Sequence, residues 1–411
     1  MKNTLLSLNT YNYRRGGSDA VFFDHQRLFQ SLDWNTVAFT MHHPKNEASD
    51  WERYFVDELE FGNDYNLLQK IVMAGKVIYS WEAKAKLKKL IQHVRPDIAH
   101  AHCIYHHLSP SVLSALSEAG IPTVMTAHDL KIACPAYKML NKTGVCEQCK
   151  HGNLWHVVKN RCIHDSLAAS LLVSVESSVH KALGLYKKNL DTIITPSLFY
   201  RDKLIEWGWD ANKLVYIPNF IHYQSYLPQF KVGDYFLYFG RLAPEKGVDT
   251  LVKAALAAGI RLKLAGTGPY EENLRRLVPD DCNTIEFLGY RSGEALRSLI
   301  QHARAVVLPS QWYENAPISV LESYACGKPV IGARIGGIPE MLKPEETGLL
   351  FETGDVSALT DRMLAVQSMP DARIETMGRA GYDFATSTFT VERYLDGMRT
   401  LYQSLGVKFK H

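Results

Sequence analysis

Long apolar runs are missing from this sequence, and so is a leader segment of the kind that directs export. The longest apolar stretch covers residues 167–175, whereas a membrane-spanning helix needs roughly 20 apolar residues. Residues 1–12 carry one Lys and a short apolar run, without the apolar core and small-residue cleavage site of a signal peptide. We therefore expect no membrane-spanning segment and a cytoplasmic location.

A large charge of one sign is also lacking. The 46 Lys and Arg nearly balance the 43 Asp and Glu, which leaves a formal net charge of +3. This balance gives no whole-chain field that would attract nucleic acid, and no basic stripe with interleaved aromatic residues is present. The first apolar run is not followed by G-x-G-x-x-G, the fingerprint of dinucleotide binding. Nucleic-acid binding and dinucleotide-dependent redox chemistry are thereby disfavoured.

Cysteine is scarce, and seven residues, an odd number without an export signal, favour reduced thiols. Four of them fall in one irregular stretch: Cys134, Cys146, Cys149 and Cys162. The two-residue spacing between Cys146 and Cys149 is that of a zinc knuckle, although a strong zinc-ribbon signal would have two such pairs. A structural Zn²⁺, with His151 or His164 as substitute ligands, and unliganded thiols both remain open. Three cysteines are expected in the core: Cys103, Cys282 and Cys326.

Short apolar runs alternate with longer amphipathic runs along the whole chain. The runs predicted as strands are 4–8, 36–40, 98–101, 123–126, 192–195, 235–239, 261–265, 284–287, 305–308, 329–332 and 348–351. Helices predicted between them indicate parallel sheets that are covered on both faces. The 411 residues exceed the roughly 250–300 that one hydrophobic core holds. The predicted fold class is α/β, with two Rossmann-like, doubly wound domains facing a central crevice.

Cations and glycines cluster at the carboxyl ends of the predicted C-terminal strands, where open α/β sheets bind ligands. Strand 235–239 is followed by Gly240, Arg241 and then Lys246. Two cations near the start of the next helix suit a diphosphate, because a helix N-terminus attracts anions. A solvated loop with two surface cations is the competing interpretation. Glycines also follow two other predicted strands: Gly266 and Gly268 come after 261–265, and Gly336 and Gly337 come after 329–332.

Two carboxylates follow the predicted strand at 305–308. Glu314 lies in the loop after that strand, and Glu322 lies just over one turn into the next helix. Such a pair can accept hydrogen bonds from hydroxyl groups at both ends of an extended polar ligand. The alternative is a cap-region anion and a solvated helix residue. We favour binding because Glu322 lies in an apolar run with Val320 and Leu321, where an unpaired charge is costly.

The motifs GRLAPEKGVDTLV, LAGTGP, ENAPISVLES, CGKPVIG and GGIPE, in this order, resemble the donor-binding half of glycosyltransferase family 4. The resemblance covers nearly the whole chain and is most specific from about 235 to 351. Its most diagnostic feature is the glutamate pair with seven residues between its members. It implies the GT-B fold and sugar transfer with retention of anomeric configuration, without a divalent metal. No Asp-x-Asp motif stands at a predicted strand end, which agrees with that implication.

The resemblance also implies roles for single residues. Arg241 and Lys246 would bind the donor diphosphate, Glu322 the ribose hydroxyls and Glu314 the hydroxyls of the transferred sugar. The predicted donor set is Gly17, Arg241, Lys246, Gly266, Gly268, Glu314, Asn315, Ala316, Ile318 and Glu322. The predicted catalytic set is His128, Glu314, Lys246 and Arg241.

Backbone N–H groups are expected to contribute to the donor site. Those of Asn315, Ala316 and Ile318 would approach the phosphates or the sugar. The family usually has aromatic-Gly where this sequence has Ala316-Pro317, and Pro317 has no N–H to donate.

The N-terminal half is expected to bind the acceptor. Gly17 matches a family loop that approaches the diphosphate, and the neighbouring Arg14 and Arg15 could meet an anionic acceptor. His128 matches the active-site histidine of the family in its sequence context. His102 is a second candidate to face the crevice, although a single histidine is more often structural than catalytic.

The predicted organisation has four parts. They are an acceptor-binding domain at 1–195 with a Cys-rich insertion at about 130–165, a linker at 196–232, a nucleotide-sugar domain at 233–382, and a helical segment at 383–411. As in similar proteins, the last segment is expected to return to the N-terminal domain.

The predicted reaction is transfer of a hexose-type sugar from a UDP- or GDP-sugar to a glycan or lipid-linked acceptor, in bacterial surface polysaccharide synthesis. No cofactor is expected for catalysis, and no nucleic acid as a partner. A nucleotide-sugar epimerase or another non-transferase enzyme of the GT-B fold is the alternative. Four lysines at 81–89, beside Trp81 and Leu87, could rest on an anionic membrane surface, or form an ordinary solvated helix face.

Overall fold

The computed structural model describes residues 2–59 and 67–409, with the backbone alone at 67–71. Its strands are β1 (Thr4–Leu8), β2 (Asn35–Phe39), β3 (Ile98–Ala101), β4 (Thr123–Thr126), β5 (Leu140–Asn141), β6 (Gly144–Val145), β7 (Thr192–Thr195), β8 (Leu214–Tyr216), β9 (Phe236–Phe239), β10 (Leu262–Ala265), β11 (Ile285–Gly289), β12 (Ala305–Leu308), β13 (Val330–Ala333) and β14 (Gly348–Phe351). Its α-helices are α1 (Gly17–Ser31), α2 (Leu67–Ile78), α3 (Trp81–Val94), α4 (Ser111–Glu118), α5 (Trp155–Lys159), α6 (Leu167–Leu183), α7 (Leu185–Asn189), α8 (Leu198–Glu206), α9 (Val248–Ala258), α10 (Glu271–Arg275), α11 (Gly293–Gln301), α12 (Ile318–Ala325), α13 (Ile338–Met341), α14 (Val356–Ser368), α15 (Asp371–Thr388) and α16 (Val391–Ser404).

The first sheet has six parallel strands in the order β2-β1-β3-β4-β7-β8. The sequence of β7, TIIT, is buried along its whole length. Strands that are covered on both faces have continuous apolar or β-branched runs instead of alternation, which is why such short runs predict a parallel sheet. The strand order changes direction between β1 and β3.

The second sheet also has six parallel strands, in the order β11-β10-β9-β12-β13-β14. Its order changes direction between β9 and β12. Helices such as α9, buried along one side at Leu251 and Ala255, cover the sheet. The predicted α/β fold of two Rossmann-like, doubly wound domains is confirmed.

The first sheet extends further along the chain than the sequence analysis predicted. Its last strand, β8, lies within 196–232, the segment predicted as a linker, and α8 packs against β7 and β8. A strand of three residues is too short to show a period in the sequence. Pro218 follows it after one intervening residue and strengthens the resemblance to a linker.

The insertion predicted as irregular contains little regular structure. It has the short antiparallel hairpin β5–β6 and the one-turn helix α5, which packs against α6. Cys149, Leu154 and Val157 are buried together there, with Cys162 packed against them. The segment thus has a small apolar cluster of its own.

The C-terminal helix α16 packs against the first domain. Tyr394, Met398 and Tyr402 of this helix share a buried cluster with Leu5 of β1 and Ile98 of β3. The preceding helix, α15, packs against α12 of the second domain, so the chain links both domains again near its end. Residues 410 and 411 of the predicted segment 383–411 lie outside the described residues.

Met398 tests how strongly α16 supports the first domain. Its side chain is fully buried, so we expect Met398→Ala to lower the free energy of unfolding of that domain by about 2–5 kcal/mol. Differential scanning calorimetry measures the change as a lower melting temperature of that domain. Arg399→Ala, with a half-exposed side chain on the same helix, is the control and should change stability by about 0.5 kcal/mol or less. Equal stability of both variants would contradict the prediction.

Candidate active site

Most of the predicted site residues follow the strands at which the two sheets change direction, whereas His128 follows β4 and Gly266 and Gly268 follow β10. In the second domain, loop 240–247 follows β9 and loop 309–317 follows its neighbour β12. In the first domain, loop 9–16 follows β1 and loop 102–110 follows β3. Doubly wound sheets bind ligands in the crevice beyond the strand ends at such points.

Glycines let the loops of the second domain pack backbone to backbone. A Cβ on Gly247 would lie 2.0 Å from the carbonyl oxygen of Pro309, and the φ of Gly247 is 64°. A Cβ on Gly266 would lie 1.9 Å from the carbonyl oxygen of Gly240, and Gly268 is equally tight against the β9 loop. A side chain at any of these positions would push the loops apart. Gly266 and Gly268, predicted to approach the donor, therefore also hold two protein loops together.

Lys246 and Glu314 form an ion pair where the β9 and β12 loops meet. The Lys246 Nζ lies 2.7 Å from Oε1 of Glu314, and the Ser310 hydroxyl donates to the same oxygen at 2.5 Å. Burial acts to raise the pKa of Glu314, but Lys246 and Ser310 outweigh it, so the pKa is lowered. Glu314 is therefore a carboxylate at neutral pH. The Lys246 side chain keeps 24% of its surface exposed, which leaves it accessible to an anion.

Arg241 is more open than Lys246. Its side chain is 54% exposed, and its guanidinium pairs with Glu245. Glu245 is buried and also binds Lys138 of the first domain at 3.1 Å. A guanidinium has five N–H donors, so Arg241 can bind an anion with those that Glu245 does not use.

Glu322 is the fifth residue of α12. The Tyr226 hydroxyl donates to its Oε1 at 3.3 Å. Burial raises the pKa of Glu322 to about 7, because a charged carboxylate is costly in a poorly hydrated place. Further hydroxyl donors at this carboxyl would favour its charged form.

The side chain of Asn315 joins the two domains. Its Nδ2 donates to the carbonyl oxygen of Ala127 at 2.8 Å, and its Oδ1 accepts from the Ser197 hydroxyl at 2.8 Å. Ala127 immediately precedes His128, so this contact brings the loop of Glu314 to the predicted catalytic histidine. From its sequence context, only the backbone N–H of Asn315 is expected to contribute to the site.

Ala316, Pro317 and Ile318 lead from this loop into α12. Ala316 is buried, and its carbonyl oxygen accepts from Asn219 at 3.3 Å. Ile318 is the first residue of α12, and the N–H of a first helical residue has no partner within the helix. The start of α12 therefore offers a donor that suits an anion.

Three histidine rings are stacked beneath the crevice. His102 stacks on His128 at 5.1 Å and on His100 at 4.5 Å between ring centres. Nδ1 of His102 lies 2.8 Å from Nε2 of His128, so one ring donates and the other accepts. Burial lowers the pKa of His128 to about 4 and that of His102 well below its usual value. Both rings are neutral at pH 7.

The burial of His102 corrects its predicted role. Its exposed surface is 0%, so it cannot touch an acceptor in this conformation, and it contacts the crevice only through His128. Among the described residues, its Nε2 has no hydrogen-bond partner. Sequence reasoning placed His102 at the crevice because the strand ends there, but the ring turns into the domain.

The stack continues to α16 through residues that the sequence analysis missed. His100 Nδ1 lies 3.1 Å from Nε2 of His25 and 3.0 Å from the Tyr402 hydroxyl. His25 Nδ1 lies 2.9 Å from the Tyr394 hydroxyl. The H-A-H spacing at 100–102 was the available signal, because alternate residues of an extended segment share a face.

Arg14 and Arg15 are both ion-paired and both more than a third exposed, so their contact with an acceptor stays a prediction. Arg14 pairs with Asp24, and Arg15 Nε lies 3.0 Å from a carboxylate oxygen of Asp19. Both acids belong to α1, so each cation is paired with the helix that it precedes. Gly17 begins that helix, and a Cβ there would meet nothing within 4 Å.

The four cysteines of the insertion lie near one another and are free thiols. Burial, and then the proximity of Cys134, Cys146 and Cys162, raises the pKa of Cys149 to about 12. Among residues 2–59 and 67–409, no three His, Cys, Asp or Glu side chains form a group that could hold a metal ion. The structural Zn²⁺ stays a prediction.

The lysines of α3 are largely paired within the first domain. Lys88 lies 2.7 Å from Glu118, which also pairs with Lys84. Lys86 lies 2.9 Å from Glu82. These contacts agree with the interpretation of 81–89 as an ordinary solvated helix face.

Comparison with curated proteins finds relatives that are glycosyltransferases. A GDP-mannose-dependent monoacylated alpha-(1-6)-phosphatidylinositol monomannoside mannosyltransferase of Corynebacterium glutamicum is 35% identical over 152 residues, 34% of this chain and 39% of that protein. An uncharacterized glycosyltransferase of Methanocaldococcus jannaschii is 30% identical over 220 residues, 53% of this chain and 60% of that protein. The match therefore spans less than two thirds of either relative. An uncharacterized 42.6 kDa protein in the cps region of Klebsiella pneumoniae is 28% identical over 356 residues, 82% of this chain and 87% of that protein.

Solved structures share the fold over almost the whole chain. Sucrose-phosphate synthase from Thermosynechococcus elongatus has a TM-score of 0.71 at 19% identity and covers 98% of this chain and 99% of its own. Anabaena HepE in complex with UDP and glucose has a TM-score of 0.67 at 16% identity, with the same coverage of 98% and 99%.

Family models match both halves of the chain. Residues 16–224 match the model described as Glycosyltransferase Family 4, and residues 228–383 match the model described as Glycosyl transferases group 1. The two matches meet near the crossover between the sheets. The predicted family is thereby confirmed: the chain belongs to glycosyltransferase family 4, whose members have the GT-B fold.

Proposed function

We propose that this glycosyltransferase moves a hexose-type sugar from a UDP- or GDP-sugar to a glycan or lipid-linked acceptor, with retention of anomeric configuration and without a divalent metal. We place the reaction in the cytoplasm, in bacterial surface polysaccharide synthesis. One observation carries the proposal: the Lys246–Glu314 ion pair lies at the point where the second sheet changes direction. A cation and a carboxylate that hold each other there can bind a phosphate and a hydroxyl side by side.

Lys246 and Arg241 would bind the donor diphosphate. Both are cations in the loop after β9. Ile318 adds a free backbone N–H at the start of α12, where the helix dipole favours an anion. These groups are in position before reaction, so they can stabilise the charge that develops on the leaving diphosphate. Protein cations would thus perform the electrostatic task that a divalent metal performs in other transferases.

The carboxylates and His128 would bind the sugar and the ribose. Glu314 is charged and held by Lys246, so it can accept hydrogen bonds from hydroxyls of the transferred sugar. Glu322, at the raised pKa of about 7, would accept from the ribose hydroxyls. His128 is neutral at pH 7 and can hydrogen-bond the sugar without adding charge. The acceptor hydroxyl would attack from the face of the leaving group, with the donor phosphate helping to remove its proton.

The comparisons support the donor and acceptor classes. The Corynebacterium relative is named for GDP-mannose and a phosphatidylinositol mannoside. Anabaena HepE has been solved with UDP-glucose, and the Klebsiella relative lies in a cps region. A nucleotide-sugar epimerase is the alternative; product formation from the donor without any acceptor would favour it.

Donor binding is the direct test of this proposal. In a thermal-shift screen of UDP-, GDP- and ADP-sugars, we expect one nucleotide class to raise the melting temperature. Lys246→Ala should weaken binding of that donor at least about tenfold, because a charge-assisted hydrogen bond is lost. Lys253→Ala, a half-exposed lysine of α9 in the same domain, is the control and should bind as wild type does. The proposal fails if no nucleotide sugar binds, or if Lys246→Ala binds normally.

Glu322 predicts a pH dependence of donor affinity. Because its pKa is about 7, the carboxylate fraction rises steeply between about pH 6 and pH 8, and donor affinity should rise about tenfold with it. Calorimetric titration with the donor found above measures this, since a nucleotide-sugar diphosphate does not titrate in that range. Glu322→Gln should flatten the profile, while Glu352→Gln, an exposed glutamate of the same domain, should keep it. A sloping profile in Glu322→Gln would refute the assignment.

The same pKa predicts an effect on stability in the free protein. The folded state holds the Glu322 proton more tightly than the unfolded chain, whose glutamate pKa is 4.5. The contribution of this residue to stability therefore falls as the pH rises from about 4.5 to about 7.

His102 is predicted to position His128. We expect His102→Phe to lower turnover up to about 100-fold, because His128 loses the partner that orients its ring, while donor affinity stays within about twofold. His102→Asn, whose amide can reach the position of Nδ1, should recover most of the activity. Donor consumption and donor affinity are measured on both variants. Wild-type turnover in His102→Phe would exclude a positioning role, and equal losses in both variants would indicate a purely structural one.

A further inference from the structure

Helix α6 presents apolar side chains to solvent and polar side chains to the interior. Leu167, Leu171 and Val175 recur at four-residue spacing and are 56%, 47% and 43% exposed. The buried positions of this helix are mostly polar: Ser170, Val173, Ser174, Glu176, Ser177 and His180. A surface helix of a globular domain normally shows the opposite arrangement. The solvent side carries no charge between Asp165 and Lys181.

The inward polar side chains explain how α6 is held in this orientation. Glu176 is buried 2.8 Å from the Nζ of Lys131, an ion pair that ties the helix to the loop after β4. The Ser174 hydroxyl donates to the carbonyl oxygen of Leu154 at 3.0 Å. His180 Nε2 lies 2.6 Å from the carbonyl oxygen of Ile78. The orientation is set by these polar contacts, so the apolar side is left for another surface.

Two helices that pack against α6 also carry exposed apolar side chains. Trp155 of α5 is 62% exposed, and it follows Leu154, which is hydrogen-bonded to the middle of α6. Val72 of α2, a helix that packs against α6, is 60% exposed. Adjoining exposed apolar side chains of this kind mark contact sites for proteins or membranes.

The surrounding charge decides between these two kinds of contact. Residues 141–190 contain seven Lys and Arg but only three Asp and Glu, and one of the three, Glu176, is buried against Lys131. Exposed cations lie on α6 itself and on the segments next to it in the chain: Lys159, Arg161, Lys181, Lys187 and Lys188. Two copies that met face to face would bring these like charges together, whereas an anionic lipid surface complements both the charge and the apolar side chains.

We propose that the α6 face, defined as Trp155, Leu167, Leu171 and Val175, docks on an anionic lipid bilayer. The apolar side chains insert at the level of the headgroups, and the exposed lysines of α6 and of the segments next to it pair with lipid phosphates. Among the described residues, no helix has the length and apolarity needed to cross a membrane, so this contact is peripheral. The docking surface is not the lysine-rich stretch 81–89, in which Lys84, Lys86 and Lys88 are paired within the domain.

Vesicle sedimentation of the full chain tests the proposal without reference to its catalytic activity. Wild type should sediment with vesicles that contain phosphatidylglycerol and stay in solution with phosphatidylcholine alone. The double variant Leu171→Ser/Val175→Ser should bind the anionic vesicles at least about tenfold more weakly, because two inserting side chains are lost. Circular dichroism and thermal unfolding should match wild type, since both residues face solvent.

Leu364→Ser is the matched control. Leu364 lies on α14 of the second domain and is 44% exposed, like the two α6 residues, so its loss should leave vesicle binding unchanged. The proposal is overturned if wild type ignores anionic vesicles, if it binds both lipids equally, or if the double variant binds as wild type does. It is also overturned if wild type is a dimer that the double variant converts to a monomer.

Discussion

The hydrogen bond between the Asn315 side chain and the carbonyl oxygen of Ala127 is the contact on which the composite site depends. Each sheet by itself supplies only one wall of a crevice, which lies at the carboxyl ends of the strands where the strand order changes direction. Asn315 joins the loop of Glu314 to the loop of His128 across that opening. A small relative movement of the domains would break this contact and separate Lys246, the proposed donor-binding cation, from His128. The arrangement suits an enzyme that must open for its substrates and exclude water while it reacts.

Polar groups shape the interior of the first domain more than that of the second. His25 and His100 hydrogen-bond each other and two tyrosines of α16. His102 stacks on His100 and hydrogen-bonds His128. Helix α6 is oriented by buried polar contacts such as that of Glu176 with Lys131. In both places the cost of burying polar groups is offset by partners, and a distant part of the chain becomes part of the surroundings of the site.

The sequence by itself determined the two sheets and the family, and it supplied the residues of the proposed donor site. Strand runs and strand-end glycines are local signals. A buried parallel strand has a short apolar run in its sequence, whichever strands it pairs with. Arg241, Lys246, Glu314 and Glu322 could be found because they follow strand ends at which ligands bind in this class of fold. The short strand β8 escaped this reasoning, because its three residues cannot show a period.

Only the tertiary structure decided which of the charged and polar side chains are free. Arg14 and Arg15 have no evident partner in the sequence, but each pairs with an acid of the following helix. His102 follows a strand end and yet turns into the domain. Helix α6 exposes its apolar side to solvent because its polar side chains have buried partners in the domain, and its own sequence pattern does not predict this orientation. The reason is the same in each case: the partner of a side chain is set by elements that are brought close by the fold, and no local window of sequence contains it.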